Sequence, residues 1–133
     1  DLNDVLKESY FSLKQEARVL DDHIIHFSVD RALVTAAARH GLKAQDVTWF
    51  LPHYSSEYFK PKLYDSMKKA GFDIPFERWF TNLTVKGNIG SAAIYLILEE
   101  LLYSGRIKKG DKLLCYIPES ARFSICYMLL TAV

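Results

Sequence analysis

Two side chains in this sequence have the type and setting to act on a reacting oxygen. His53 follows Pro52 at the end of the apolar run Val47-Thr48-Trp49-Phe50-Leu51, and Asn88 sits between Gly87 and the Gly90-Ser91-Ala92-Ala93 opening of a strongly apolar stretch. A neutral imidazole N–H and a side-chain amide N–H are two hydrogen-bond donors that add no net charge. Aimed at an oxygen that gains negative charge in a dry site, such donors stabilise an oxyanion or enolate, and removing one typically costs roughly 10²–10³ in rate. Each residue alone has an ordinary explanation, since a histidine at a strand end is often structural and an asparagine after glycine is a common turn or cap residue. The pair, both at loop positions, is what carries the signal.

The other chemically capable residues read differently. Cys115, within Leu113-Leu114-Cys115-Tyr116, and Cys126 both lie inside apolar runs with no CxxC or metal-ligand spacing. Both are expected to pack inward with raised pKa values, because a reactive cysteine needs an exposed, electropositive setting. His23 and His26 share a helical face beside Asp21 and Asp22, but the further partners of an open metal site are missing, and no metal is expected.

The elements that must position His53 and Asn88 follow from periodicity. A helix is predicted over Asp4 to about Leu20, and a second one starts at an Asp21 or Asp22 cap. This second helix buries Ile25, Val29, Ala32, Leu33, Ala36 and Ala37 on one face and stops at Gly41. Val47 to Leu51 reads as a parallel strand covered on both faces and closed by Pro52. A helix from roughly Ser56 to Ala70 follows, with Pro61 in its first turns or kinking it. Glu77 to Asn82 is a further strand candidate. Gly90 to Tyr103 is the strongest helix, and two strands, Asp111 to Ile117 and Phe123 to Thr131, are joined by a short loop containing Pro118. This order predicts an α/β fold: a mainly parallel mixed sheet with helices packed on its faces and an antiparallel C-terminal strand pair. In such sheets ligands sit outside the carboxyl ends of the strands, where His53 and Asn88 fall.

Composition sets the remaining bounds. With 133 residues, half of them hydrophobic, the chain can bury one core, and 17 basic against 16 acidic residues give no field that would draw it to nucleic acid or anionic lipid. The longest apolar stretch, Ala92 to Leu102, is broken by Glu99 and Glu100, so no membrane span is expected; without a leader pattern, the expected location is cytoplasmic. The triplet Asn82-Leu83-Thr84 recurs too often by chance to signal glycosylation. Asp1 opens directly into a helical pattern and Val133 ends inside a strand-like run, which suggests a fragment of something longer.

Trp49-Phe50-Leu51-Pro52-His53, then Gly87-Asn88-Ile89-Gly90-Ser91-Ala92-Ala93 with its long helix, then Gly105-Arg106-Ile107-Lys108-Lys109-Gly110-Asp111, together resemble the C-terminal half of the β-ketoacyl-ACP synthase III family. The resemblance covers roughly residues 21–133, with 1–20 as an N-terminal helical segment of the same domain. It implies half of a thiolase-like fold. It also implies an acyltransferase that condenses an acyl thioester with malonyl-ACP by decarboxylative Claisen chemistry, in fatty acid or related polyketide or lipid biosynthesis. His53 and Asn88 would then be the enolate donors. The family's nucleophilic cysteine belongs to the preceding half, so this stretch alone is expected to be inactive. The implied partners are acyl-CoA or acyl-ACP and malonyl-ACP, with a second copy in a homodimer, and no cofactor, because phosphopantetheine arrives on the substrate. Lys60 and Lys62, in a basic stretch with Lys68 and Lys69, would face the acidic carrier protein. Tyr54, Tyr58, Phe59 and Tyr64 fit an acyl channel or core packing equally well. Two segments depart from the family pattern. Tyr54-Ser55-Ser56 replaces a Gln-Ala-Asn run, and Ile117-Pro118-Glu119-Ser120-Ala121-Arg122 replaces a glycine-rich loop, so that this loop either has a different geometry or donates to substrate through Ser120 or Ala121. The alternative is a non-catalytic thiolase-like subunit that binds a partner condensing enzyme.

Overall fold

The structure, a computed structural model, describes residues 2–7, 17–119 and 123–133. A short helix α1 (Leu2–Lys7) precedes one long helical rod, α2 (Ala17–His26), a wider π-wound segment (Phe27–Leu33) and α3 (Val34–His40). Asp21 and Asp22 were expected to cap a helix here, yet the rod starts upstream and runs through them. The Asp21 carboxylate instead binds Lys62 and the Tyr58 hydroxyl across the fold. The rod ends at Gly41 as expected, with Leu42 N–H donating to Ala37 O at 2.9 Å and Gly41 N–H to Ala38 O at 3.4 Å.

Strand β1 (Trp49–Pro52) lies parallel to β2 (Lys112–Glu119), and β2 lies antiparallel to the edge strand β3 (Ser124–Thr131). Side chains alternate between the two faces of this mixed sheet. Phe50, Leu114 and Tyr116 point to the face covered by the rod and by α4 (Phe59–Lys69), against Val29, Leu33, Leu63 and Met67. Leu51, Leu113 and Cys115 point to the other face, where α6 (Ala93–Tyr103) buries Ile94, Ile97 and Leu101. The apolar run of β1 therefore reflects cover on both sides, and the result is a helix–sheet–helix layering.

Three further expectations are corrected. Glu77 to Asn82 forms no strand: a 3₁₀ turn (Phe76–Arg78) leads to a single parallel bridge between Trp79 and Phe50. The backbone there is claimed locally, with the N–H groups of Arg78 and Trp79 donating to Pro75 O and Phe76 O at 2.9 Å each and Asn82 opening the short helix α5 (Leu83–Lys86). Pro118 lies within β2 and not in a loop. Tyr116 O accepts from His53 N–H, so alternate residues of β2 turn their backbone toward β1, and Pro118 is the next in that series. Because β1 has already ended at Pro52, the N–H that proline lacks would have had no strand to meet. Cys126, expected to pack inward, is exposed. It pairs with Ile117 on the edge strand, one strand beyond those that α6 covers, where Met128 and Leu130 are only partly buried.

No helix among the described residues is long and apolar enough to cross a membrane.

Candidate active site

The cavity that holds the candidate residues opens where β1 stops. His53 is fixed there by its backbone, whose N–H donates to Tyr116 O at 2.9 Å and extends the ladder one bond past Pro52. Its side chain is 7 % exposed. Burial holds the imidazole pKa below its ordinary value, which keeps the ring neutral at physiological pH.

Asn88 lines the same cavity. The turn that presents it needs two glycines: Gly87 has φ 75 and ψ 179, a region essentially closed to residues with a Cβ, and Gly90 has φ 65. Within this turn Asn88 Oδ1 accepts the Gly90 N–H at 2.9 Å. The carbonyl end of the amide is therefore occupied, and the Nδ2 end, a pure donor, is the part left for a ligand.

His53 and Asn88 line one cavity of about 320 Å³, near the lower end of the range of roughly 300–1,000 Å³ typical of small-molecule sites. Its exposed lining residues, Ser55, Asn88, Gly90, Ser91 and Glu119, form a polar mouth, and buried Ile24, Leu63 and Tyr116 form an apolar interior. Donors at the junction of a polar mouth and a dry interior suit an oxygen that becomes charged during reaction.

Ile24, Leu63 and Tyr116 were not singled out from the sequence as site residues. Their apolar spacing reads as core, which they also are; only the end of β1 turns them into cavity wall. Tyr116 is fixed by its hydroxyl, 2.8 Å from Ser28 Oγ, while Ser28 Oγ donates to Ile24 O at 2.6 Å and Tyr127 OH donates to Ser28 O at 3.1 Å. Burial pushes the Tyr116 hydroxyl up to about 12, so it stays protonated.

The aromatic residues divide between two roles. Tyr54 and Phe59 line the cavity, with Tyr54 OH donating to Glu57 Oε1 at 3.1 Å. Tyr64 stacks on Phe76 and meets Trp79 edge-on, and exposed Tyr58 binds Asp21 and Lys62. The two lysines expected to face a carrier lie on α4. Lys60 is 3.6 Å from Glu57 Oε2 and sits over the Phe76 ring, whereas Lys62 is joined to Asp21, which raises the lysine pKa and lowers that of the aspartate. Ser120 and Ala121, the expected substrate contacts, lie outside the described residues, and Glu119, just before them, lines the cavity. Cys115 is fully buried, and burial raises its pKa to about 12; neither cysteine lines the cavity. His26 is paired with Asp30 on the next turn, and no group of three or more metal-binding side chains is found among the described residues.

Comparison with known proteins bears on the fold and the family. The family model described as 3-oxoacyl-[acyl-carrier-protein (ACP)] synthase III C terminal matches residues 37–116, which include both His53 and Asn88. Beta-ketoacyl-[acyl-carrier-protein] synthase III of Allorhizobium ampelinum is 31% identical over 102 residues, covering 77% of this chain and 30% of the relative. The chain thus spans about a third of the length of the curated relatives it matches. Among solved structures, the synthase III of Thermus thermophilus superposes with a TM-score of 0.71 at 25% identity, over 90% of this chain and 35% of that one. A Xanthomonas campestris OleA variant superposes with a TM-score of 0.77 at 22% identity, over 88% of this chain and 32% of that one. A thiolase-like half fold with a histidine and an asparagine facing one cavity, inside the matched segment, places the chain in the family of 3-oxoacyl-[acyl-carrier-protein (ACP)] synthase III C-terminal domains.

Proposed function

We propose that the protein containing this chain is a condensing acyltransferase that joins an acyl-CoA or acyl-ACP starter to malonyl-ACP with loss of carbon dioxide, and that His53 and Asn88 hold the enolate. The observation that carries this reading is the convergence of a buried neutral imidazole and an amide with its oxygen already engaged on a single cavity. In the step they would assist, the bond between the malonyl carboxylate and the α-carbon breaks and carbon dioxide leaves. The electron pair moves onto the thioester oxygen, between the imidazole N–H and Asn88 Nδ2–H. The α-carbon then attacks the starter thioester, expelling its thiolate. That starter would be carried by a cysteine outside residues 1–133, since Cys115 is buried and Cys126 lies away from the cavity.

The chain itself would need no cofactor, because phosphopantetheine comes with the substrate. A homodimer in the cytoplasm, Lys60 and Lys62 meeting the acidic carrier, and Ser120 or Ala121 contacting the acyl group complete the proposal. Of the two lysines Lys60 is the more readily freed to meet a carrier, because its contact with Glu57 is long, 3.6 Å, whereas Lys62 is joined closely to Asp21 and Tyr58.

The test uses the full-length protein with malonyl-ACP and an acyl-CoA. His53→Ala and Asn88→Ala should each slow condensation by roughly 10²–10³. Undiminished rates in both would overturn the assignment. The glycine-free end of β2, with Glu119 against the cavity, favours as second reading a non-catalytic subunit that binds a partner condensing enzyme. Under that reading the unsubstituted protein shows no condensation of its own.

A further inference from the structure

Asn88 hangs on a thinly packed piece of chain. In α5, which leads into its turn, Thr84, Val85 and Lys86 are exposed, and only Leu83 is partly buried against the core. Packing alone does little to fix such a segment. Its start is held by Asn82, whose carbonyl accepts the N–H groups of Val85 at 3.0 Å and Lys86 at 2.8 Å. The Asn82 side chain is buried, and its Nδ2 donates to Glu100 Oε2 at 2.7 Å. Glu100 belongs to α6, which is anchored in the sheet through Ile94, Ile97 and Leu101. Asn82, Gly87 and His53 also line one narrow crevice that shares His53 and Tyr54 with the main cavity. A charge-assisted hydrogen bond therefore runs from a rigid helix to the root of the segment that ends at Asn88, beside the other candidate donor.

We propose that Glu100 is a positioning residue that, through Asn82, sets the place of the Gly87-Asn88 turn relative to His53. The proposal rests on the reading of His53 and Asn88 as the enolate donors. Glu100 does not line the cavity, so its influence passes through Asn82 rather than through a ligand. Geometry makes such an influence large, because a misplacement of about 1 Å far from the chemistry can cost roughly 10²-fold. A merely structural bond would change the melting temperature and leave turnover by the folded protein intact.

The experiment compares Glu100→Gln, Glu100→Leu, Asn82→Asp and the exchanged pair Asn82→Asp with Glu100→Gln in the full-length protein. Glu100→Gln keeps an oxygen that accepts from Asn82 and should stay close to the parent in kcat. Glu100→Leu should lower kcat by roughly 10–100-fold with little change in KM. Asn82→Asp sets two carboxylates against each other and should lose at least as much. The exchanged pair rebuilds the bond with donor and acceptor swapped, and should recover most of the loss. Amide exchange at Gly87, whose N–H donates to Leu83 O at 2.8 Å, gives a readout independent of the reaction. It should quicken in Glu100→Leu and Asn82→Asp and slow again in the exchanged pair. Unchanged kcat in Glu100→Leu, or a loss that the exchanged pair does not restore, would overturn the proposal. Should His53→Ala and Asn88→Ala prove harmless, the functional reading falls, and an unaltered Gly87 exchange rate in Glu100→Leu would then reject the clamp as well.

Discussion

At the residue scale, burial decides what each ionisable group can do. His53 has its pKa held below the ordinary 6.5 by desolvation. The unfolded chain therefore takes up a proton near 6.5 where the folded chain does not, and stability must fall as pH drops below that value toward the lowered pKa. Above 6.5 both states are neutral and the full contribution is present. The melting temperature of the parent should decline more steeply between pH 7.5 and 5.5 than that of His53→Gln; parallel curves would contradict this. The two thiols form a second contrast. Cys115 is buried with its pKa raised to about 12, and Cys126 is exposed. Since the thiolate is the nucleophile, iodoacetamide should modify Cys126 alone in the folded protein and both after denaturation. Mass spectrometry showing early modification of Cys115 would count against the packing described. Sequence alone put both cysteines in apolar strands; it could not tell that Cys126 stands on an edge beyond the reach of α6.

Among the elements, the π-wound segment Phe27–Leu33 is the least expected, and it serves the sheet. It holds Ser28 at full burial, where one hydroxyl meets both Ile24 O and Tyr116 OH. Ser28→Ala would leave the Tyr116 hydroxyl buried with no partner among the described residues, a loss of about 1–3 kcal/mol in urea unfolding. Tyr116→Phe should cost less, because Ser28 keeps its bond to Ile24. The double variant should be more stable than Ser28→Ala alone, and a double variant that is the least stable of the three would refute the network. A helix was legible here from the apolar spacing of Val29, Leu33 and Ala37, but the π winding was not. The tertiary partner of its Ser28, Tyr116, lies 88 residues away in sequence, where no local pattern reaches. The strand expected at Glu77 to Asn82 is replaced by a 3₁₀ turn whose N–H groups bond to Pro75 and Phe76, and the Arg78 side chain binds Val47 O, a contact 31 residues away that no local pattern encodes.

For the molecule as a whole, the layering was readable because β1 is apolar on both faces and α6 has a wide apolar stripe. That His53 and Asn88 stand at chain turns lining one cavity was readable from the proline and two glycines that punctuate the chain beside them. The cavity wall was not, since Ile24, Leu63 and Tyr116 look the same whether they face core or ligand. The same width of the apolar stripe on α6 has a further consequence. One side of the helix, Ile94, Ile97 and Leu101, is buried, while Tyr95 and Leu102 on the other side are 69% and 61% exposed, with partly buried Leu98 between them at helical spacing. A helix that is apolar nearly all round is ordinarily covered all round, and an uncovered stripe of large side chains favours association. Residues 1–133 expressed alone should therefore self-associate at micromolar concentration. Lysine at both exposed positions, Tyr95→Lys with Leu102→Lys, should shift sedimentation toward the monomer without lowering the melting temperature, because neither side chain contributes to the buried core. A parent chain that already sediments as a clean monomer would show that the stripe drives no association.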